Sequence, residues 1–376
     1  MSKEEIERYE TVIIGGGQAG LAAGYQLAKR GRSFVILDAN ERVGDAWRKR
    51  WDSLRLFTPA HFSRLPGLRH DATSWSFVTK DEMADYLEKY AERFELPVRT
   101  GVRVDRLTKV DGAFEILADD LRIEAENVVV ATGAHQIPKV PAFASELDPR
   151  IVQLHSRDYR SPSQLQEGDV LLVGAGNSGA EIGMELSHTH RVLLSGPSTG
   201  QIPVRHGTVP ARLGFRVFRF FGHRIVRVDT RIGRKLGPKL ISKGDPLIRT
   251  RLKDLLAAGV ERVARVVGVR DGMPVLEDDR VVDVANVVWC TGFRTDFGWI
   301  DLPVFADDGR PMHYRGVVDS EPGLYFLGLL FQYSLSSDVL PGLGRDADYI
   351  AKHIASRPAW EHATVAEHPP VEAPAV

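Results

Sequence analysis

Apolar positions in this chain come in short unbroken runs, and glycine follows most of them. The first run lies in YETVIIGGGQAGLAAGYQLAKRGRSFVILDAN, from Tyr9, which reads as a buried strand, a glycine turn, a helix and a second strand ending at Asp38. The same order returns in GDVLLVGAGNSGAEIGMELSHTHRVLLSGPS, Gly168 to Ser198. Between the two, DEMADYLEKYAERF predicts a helix, and RLTKVDGAFEILADDLRIEAENVVVATG predicts a hairpin-like region turning at Asp-Gly and closing on a buried strand. That ending also has a second copy, VERVARVVGVRDGMPVLEDDRVVDVANVVWCTGF, again with an Asp-Gly turn and a buried strand that stops at Thr-Gly. The last pattern, PGLYFLGLLFQYSLSSDVLPGLGRDADYIAKHIAS, predicts a strand, a loop and a closing helix, and the Pro/Ala/Glu tail from Arg357 is expected to be mobile.

Two strand–turn–helix–strand units with matching ends indicate a duplicated domain type and not a solenoid, because no period of 20 to 50 residues is present. The predicted fold class is therefore α/β, with two Rossmann-like dinucleotide-binding domains. The first comprises residues 1–160 and is completed by 289–376; the second, 161–288, is inserted between them. A chain of 376 residues with 43% hydrophobic and 26% charged content is long enough for two such cores.

Charge and cysteine content narrow the chemistry. A formal net charge of −1 supplies no global field for nucleic acid or an anionic membrane, so small partners are expected. The single cysteine, Cys290, excludes an internal disulfide framework, a Cys-x-x-Cys pair and a multi-thiolate metal site. His61, His70 and His206 show no metal-ligand spacing, and no metal is assigned. The start, MSKEEIERYE, has no apolar h-region, and no run approaches the roughly 20 apolar residues of a membrane span, which leads us to expect a cytoplasmic protein. The same features admit a homodimer without specifying one.

Each glycine turn has the spacing G-x-G-x-x-G. In the first, Gly15 permits a tight turn, Gly17 lets a pyrophosphate approach the backbone, and Gly20 lets helix and strand pack closely. Gln18 and Ala19 open the helix whose N-terminus would receive the phosphates, and Asp38 is placed to accept from ribose hydroxyls. In the second, Gly174, Gly176 and Gly179 take the same positions around Asn177 and Ser178. Its second strand ends at Ser195 with no acid, which favours NADPH over NADH; Ser195, Ser198 and Arg205 are the candidates for the 2′-phosphate. Two such folds in one chain suggest FAD at the first and a nicotinamide nucleotide at the second. The small residues at the strand ends, Ala131, Thr132 and Gly133 in one copy and Cys290, Thr291 and Gly292 in the other, leave room for backbone to cross beneath a cofactor.

The connector between the domains carries His155, Ser156 and Tyr159 in HSRDY, which resembles the F-x-G-x-x-x-H-x-x-x-Y/F linker of the flavin-containing monooxygenases, including their YUCCA-like and bacterial members. The Phe and Gly positions of that linker fall here on Pro149 and Ile151. Baeyer–Villiger relatives have Trp where Tyr159 stands, which disfavours ketone-to-ester oxidation. GDAWRKRWDSLRLFTPAHFSRLPG is similar to the family's G-x-x-W and Leu-Arg-Leu segment, with Trp47, Arg55, Thr58 and Pro59 in register and Phe57 where animal-type members place an Asn beside the flavin. The resemblance implies that this segment lines the flavin and that the turn into the last helix aims N–H groups at its pyrimidine end.

What the resemblance further implies is an FAD- and NADPH-dependent monooxygenase: NADPH reduces the flavin, dioxygen adds at C4a, and the distal oxygen passes to a small lipophilic substrate at nitrogen, sulfur or carbon. His155 and Tyr159 would act by positioning the linker and nucleotide. Two alternatives stand beside it: an NADPH oxidase or electron-transfer reductase that moves no oxygen, and a flavin-binding regulatory protein. A disulfide reductase lacks its dithiol. In the basic stretch 205–253, Arg216, Arg219, His223 and Arg227 recur at helical spacing. Residues 213–227 are thus either a weak peripheral membrane contact or, more simply, a helical lid over the active site with its charges in water.

Overall fold

β1 (Ile6–Ile14) is buried throughout from Glu10 to Ile14, as a central parallel strand requires. The computed structural model describes residues 6–242 and 244–358, so nearly all of the tail expected to be mobile lies outside the described residues. From β1 the chain turns at glycine into α1 (Gln18–Ala28) and returns as β2 (Phe34–Leu37), parallel to β1. After a short α2 (Asp45–Arg48), α3 (Lys80–Arg93) forms where the sequence predicts a helix. Its start is fixed by a reciprocal box in which Thr79 accepts from the Glu82 N–H (3.1 Å) and Glu82 accepts from the Thr79 N–H (2.7 Å).

β3 (Val98–Arg99) lies on the edge beyond β2, and β4 (Arg106–Val110), β5 (Ala113–Ala118) and β6 (Leu121–Val130) form a meander. Its first turn uses Asp111 and Gly112 at φ 50° and 87°, the left-handed pair that a two-residue hairpin demands. The strand order is β3-β2-β1-β6-β5-β4. Adjacent residues alternate faces: Ile13, Ile36 and Val129 join the core under the helices, whereas Val12, Val35 and Val128 join a second apolar layer with Phe297 and Phe326.

Past β6 come a two-residue strand, β7 (Ile137–Pro138), and β8 (Val152–His155). The second glycine unit follows as β9 (Val170–Val173), α4 (Asn177–Leu186) and β10 (Val192–Ser195). Two exposed helices, α5 (Val209–Arg224) and α6 (Arg231–Ser242), precede α7 (Leu252–Ala257), β11 (Glu261–Val263), the hairpin β12 (Val266–Arg270) and β13 (Met273–Leu276), and β14 (Asn286–Trp289). Arg227 lies beyond the end of α5, so it does not share a helical face with Arg216 and Arg219.

The second sheet is wholly parallel, in the order β11-β10-β9-β14-β8. β8 thus belongs to it, although its sequence position assigned it to the first domain; the second sheet begins at Val152 and ends at Trp289. β15 (Phe293–Arg294) pairs with β7, and β16 (Leu324–Phe326) returns to β6 in the first sheet. α8 (Leu340–Ala355) closes the chain against α1, where Arg30 pairs with Asp348 at 2.5 Å. Among the described residues no helix is long and apolar enough to cross a membrane.

Because the box at Thr79 satisfies two otherwise unpaired N–H groups at the start of α3, Thr79→Ala is expected to lower stability by about 1 kcal/mol. Urea unfolding followed by circular dichroism would read this, and an unchanged midpoint would show that α3 is held by its buried face alone.

Candidate cofactor sites and the hinge between them

At the first turn, Gly15 sits at φ 109° with its N–H on the Leu37 carbonyl at 2.7 Å. A side chain there would meet the Ala131 carbonyl oxygen at 2.6 Å, and one at Gly20 would meet the Gly15 oxygen at 1.9 Å. At Gly17 a Cβ would have nothing within 4 Å. The one glycine that packs against nothing is therefore the one that caps α1, with no side-chain cap and no acid in the first turn. The N–H groups of Gln18 and Ala19 share that free end, where an anion is favoured. Asp38, buried at the end of β2, accepts at Oδ1 from the Asn40 N–H (2.7 Å) and Nδ2 (2.9 Å), and its Oδ2 lies over Gly16. The residues present fit an adenine dinucleotide: an open phosphate cradle, then an acid one strand away.

The second turn repeats this geometry. Gly174 has φ 116°, a Cβ there would meet the Cys290 carbonyl oxygen at 2.2 Å, and one at Gly179 would meet the Gly174 oxygen at 1.9 Å. Gly176, capping α4, again faces open space. Ala131 and Cys290 thus play one role, each passing its backbone beneath a glycine turn. Burial pushes the Cys290 thiol up to about 12, so it behaves as a small apolar residue. Asn177 holds a crossing loop, donating to the Pro246 carbonyl (3.1 Å) and accepting from the Ile248 N–H (3.0 Å); Ser178 lies half-buried beside it. In the same loop Arg249 pairs with Glu181 of α4 at 2.5 Å, although burial still pushes Glu181 up to about 7.

Of the three residues expected at a 2′-phosphate, Ser195 is corrected. Its hydroxyl is fully buried, donates to the Ala264 carbonyl (2.9 Å) and accepts from the Val266 N–H (3.0 Å), which leaves nothing for a ligand. Ser198 and Arg205 are exposed. Ser198 lines a concavity of about 400 Å³ with Leu247, Leu252, Leu256 and Lys253, a cation whose role the sequence pattern does not single out.

The strand ends of the two domains meet in a hinge. Directly after Gly133 and Gly292, β7 and β15 pair antiparallel. Gln136 donates to Thr132 Oγ1 (2.9 Å) and the Gly133 carbonyl (2.8 Å) and accepts from the Asp296 N–H (2.8 Å), while Thr291 donates to the Lys139 carbonyl. His155 completes it. Its Nδ1 accepts from the Arg157 N–H (3.1 Å), so Nε2 carries the proton and donates to the Gly292 carbonyl (3.1 Å). Burial lowers its pKa, in keeping with a neutral ring. Tyr159, fully buried, donates to Glu185 of α4 at 2.8 Å. Both linker side chains spend their polar atoms on the protein.

In the segment expected to line the flavin, Trp47 is half-buried and Arg55 is exposed, donating to the Phe77 carbonyl at 3.1 Å. Thr58 and Ser63 share a hydrogen bond of 2.5 Å. The Phe57 carbonyl accepts from His206 (2.9 Å), whose ring lies 4.0 Å from that of Phe77, so the segment is tied to the loop before α5. Two residues here escape sequence reasoning. Arg50 places its guanidinium 5.5 Å from the Phe293 ring centre, and burial, then Arg157 and Arg160, lower its pKa. Asp338, two residues before α8, is pushed up to about 7 by burial. The first is hidden in the charged string RKRW and the second in a serine-rich loop, where neither pattern nor spacing separates it from a solvated surface residue. Among the described residues no cluster of His, Cys, Asp or Glu could hold a metal ion.

The glycines differ in a testable way. Gly20→Ala forces a carbon onto a backbone oxygen 1.9 Å away and is expected to give protein that is insoluble or lacks FAD. Gly17→Ala meets open space, so the chain folds, with FAD affinity reduced about tenfold, roughly 1.4 kcal/mol. Equal FAD retention by both variants, measured by absorbance after dialysis, would contradict this assignment. For Tyr159→Phe, loss of a hydrogen bond to a carboxylate is expected to cost about 1.5–3 kcal/mol in urea unfolding, with NADPH-driven flavin reduction nearly unchanged. A collapse of that rate at unaltered stability would instead make Tyr159 a catalytic residue.

Comparison with known proteins agrees with this geometry. Residues 12–201 match the family described as pyridine nucleotide-disulphide oxidoreductases. The chain is 41% identical over 348 residues to an uncharacterized oxidoreductase CzcO-like of Geobacillus kaustophilus, covering 92% of this chain and 98% of that protein. It is 27% identical over 383 residues to the probable indole-3-pyruvate monooxygenase YUCCA3 of Arabidopsis thaliana, covering 92% and 86%. The solved flavin-containing monooxygenase from Stenotrophomonas maltophilia superposes with a TM-score of 0.73 at 27% identity, covering 93% and 99%. The chain belongs to the pyridine nucleotide-disulphide oxidoreductase family and is an enzyme of its flavin-containing monooxygenase branch, whose members use FAD and NADPH.

Proposed function

We propose that this enzyme uses NADPH and dioxygen to oxygenate a small lipophilic molecule at nitrogen or sulfur. The observation that carries the reading is the pair of matched cradles, each an uncapped helix end facing open space, joined by a hinge and accompanied by neither a dithiol nor a metal cluster among the described residues. FAD, when bound, accepts the hydride and activates dioxygen; the protein needs few acid–base groups of its own.

The roles of the chain follow from its geometry. The α1 end and Asp38 would hold the FAD pyrophosphate and ribose, with Trp47 and Thr58 beside the flavin and Ala131, Thr132 and Gly133 under it. The α4 end, with Gly176, Asn177 and Ser178, would hold the NADPH pyrophosphate, and Ser198, Arg205 and Lys253 its 2′-phosphate. α8, with no capping side chain and no acid in its first turn, would direct its positive end at the flavin's pyrimidine edge. The β7–β15 ribbon, locked by Gln136 and His155, would keep the nucleotide facing the flavin, since a misplacement of about 1 Å can cost 10²-fold in rate.

Phe57, which offers only an apolar side chain where animal-type relatives place Asn, favours one rival: an oxidase that passes electrons to dioxygen without oxygenating a substrate. Anaerobic stopped-flow reduction by NADPH and by NADH, followed by mixing with oxygenated buffer, distinguishes them. The expected result is faster reduction by NADPH and a transient absorbance, distinct from oxidised and reduced flavin, that persists until a thioether or amine is added. Immediate return to oxidised flavin with stoichiometric peroxide would favour the oxidase, and no reduction at all would remove the enzyme reading.

A further inference from the structure

α5 departs from the lid expectation in one respect. Its arginines are exposed, as that expectation has them, but they flank the side by which the helix docks, and most of its apolar side chains face outward. The guanidinium groups of Arg212 and Arg216 lie 5.1 and 5.4 Å from the Trp75 ring centre, and that of Arg219 lies 5.2 Å from Phe62. Phe215 packs on Phe62 at 4.9 Å, Gly222 is buried, and His223 bonds Ser336 at 3.1 Å. The helix is thus docked on the protein along this edge. The opposite side carries Val209, Leu213, Val217, Phe218, Phe220 and Phe221, from 49% to 72% exposed, over about half of the helix circumference. α6 continues with Ile232 and Leu236 exposed.

Exposed apolar side chains scattered singly need no explanation, but six on one helix do. Charge says what covers them. From Gly196 to Val228 the sequence has six arginines and no aspartate or glutamate. His61, next to this edge, is lowered by partial desolvation and then by Arg64, Arg216, Arg219 and Arg69. A second copy of the chain fits badly, because a two-fold contact through this face would bring two arginine-rich edges together. An anionic lipid surface fits both features: the apolar face enters the acyl boundary while the guanidinium groups beside it stay at headgroup level.

We propose that α5 is an in-plane anchor that docks this protein on membranes containing anionic phospholipid, and that it is not a lid. This stands apart from the oxygenation reading, since it concerns where the protein sits and not what its flavin does. The test uses the full-length, FAD-loaded protein with vesicles of phosphatidylcholine alone or mixed with phosphatidylglycerol, sedimented at low and high salt. The expected outcome is pelleting with the anionic vesicles only, weakened by salt. Phe218→Ser/Phe221→Ser, and independently Leu213→Gln, are expected to lower the partition coefficient at least tenfold for the double variant, with flavin absorbance and NADPH oxidation retained. Wild-type protein that stays in the supernatant with anionic vesicles at low salt would overturn the proposal, as would variants that bind undiminished. Light scattering that finds a wild-type dimer and a monomeric F218S/F221S variant would assign the face to a second copy and overturn it too.

Discussion

Everything in this molecule is arranged around two places where backbone touches backbone. Beneath each glycine turn a strand-end carbonyl, that of Ala131 or Cys290, comes so close that no side chain fits above it, and the first and last glycines of each turn meet at the same distance. This approach fixes the angle at which α1 and α4 leave their strands, and hence the direction of their unpaired N–H groups. It also fixes where Thr132 and Thr291 emerge, and from there the hinge follows: two strand ends held under two turns can be joined by a ribbon as short as β7 and β15.

That constraint is local, which is why it was legible. The glycine spacings, the α3 helix and the Asp-Gly turns depend on residues within a few positions of one another, and these elements form where expected, although the box that starts α3 is not among the expectations. The failures are long-range. β8 reads as part of a connector because nothing nearby says that it will pair with β14; its partner strand begins at Asn286. The His155–Gly292 bond joins residues 137 apart, and the tie from His206 to Phe57 spans 149. Ser195 misled for a related reason. A hydroxyl where the first domain has an acid looks available, but the backbone that consumes it, at Ala264 and Val266, follows the neighbouring strand β11, 69 and 71 residues along the chain.

α5 shows a different limit. Helical periodicity locates two unlike faces but does not say which of them is inside, because guanidinium groups can pack on aromatic rings as readily as they face solvent. The rings of Trp75 and Phe62 decide the matter, and Phe62 lies in the segment expected to line the flavin. The anchor and the cofactor segment therefore share a boundary: His206 leads into α5 and holds Phe57.

Asp338 ties the electrostatics of the last helix to the rest. A fully ionised carboxylate two residues before α8 would offset the positive end of that helix, yet burial pushes the group up to about 7, with Asp245 adding in the same direction. The helix end thus keeps a positive potential that an anionic group can use. The same reasoning applies across the hinge, where Arg50 is lowered by burial and by Arg157 and Arg160. A cation whose charge burial disfavours there and an acid whose ionisation burial disfavours at α8 both favour negative charge arriving from outside the chain, as a reduced flavin and a dinucleotide would bring it.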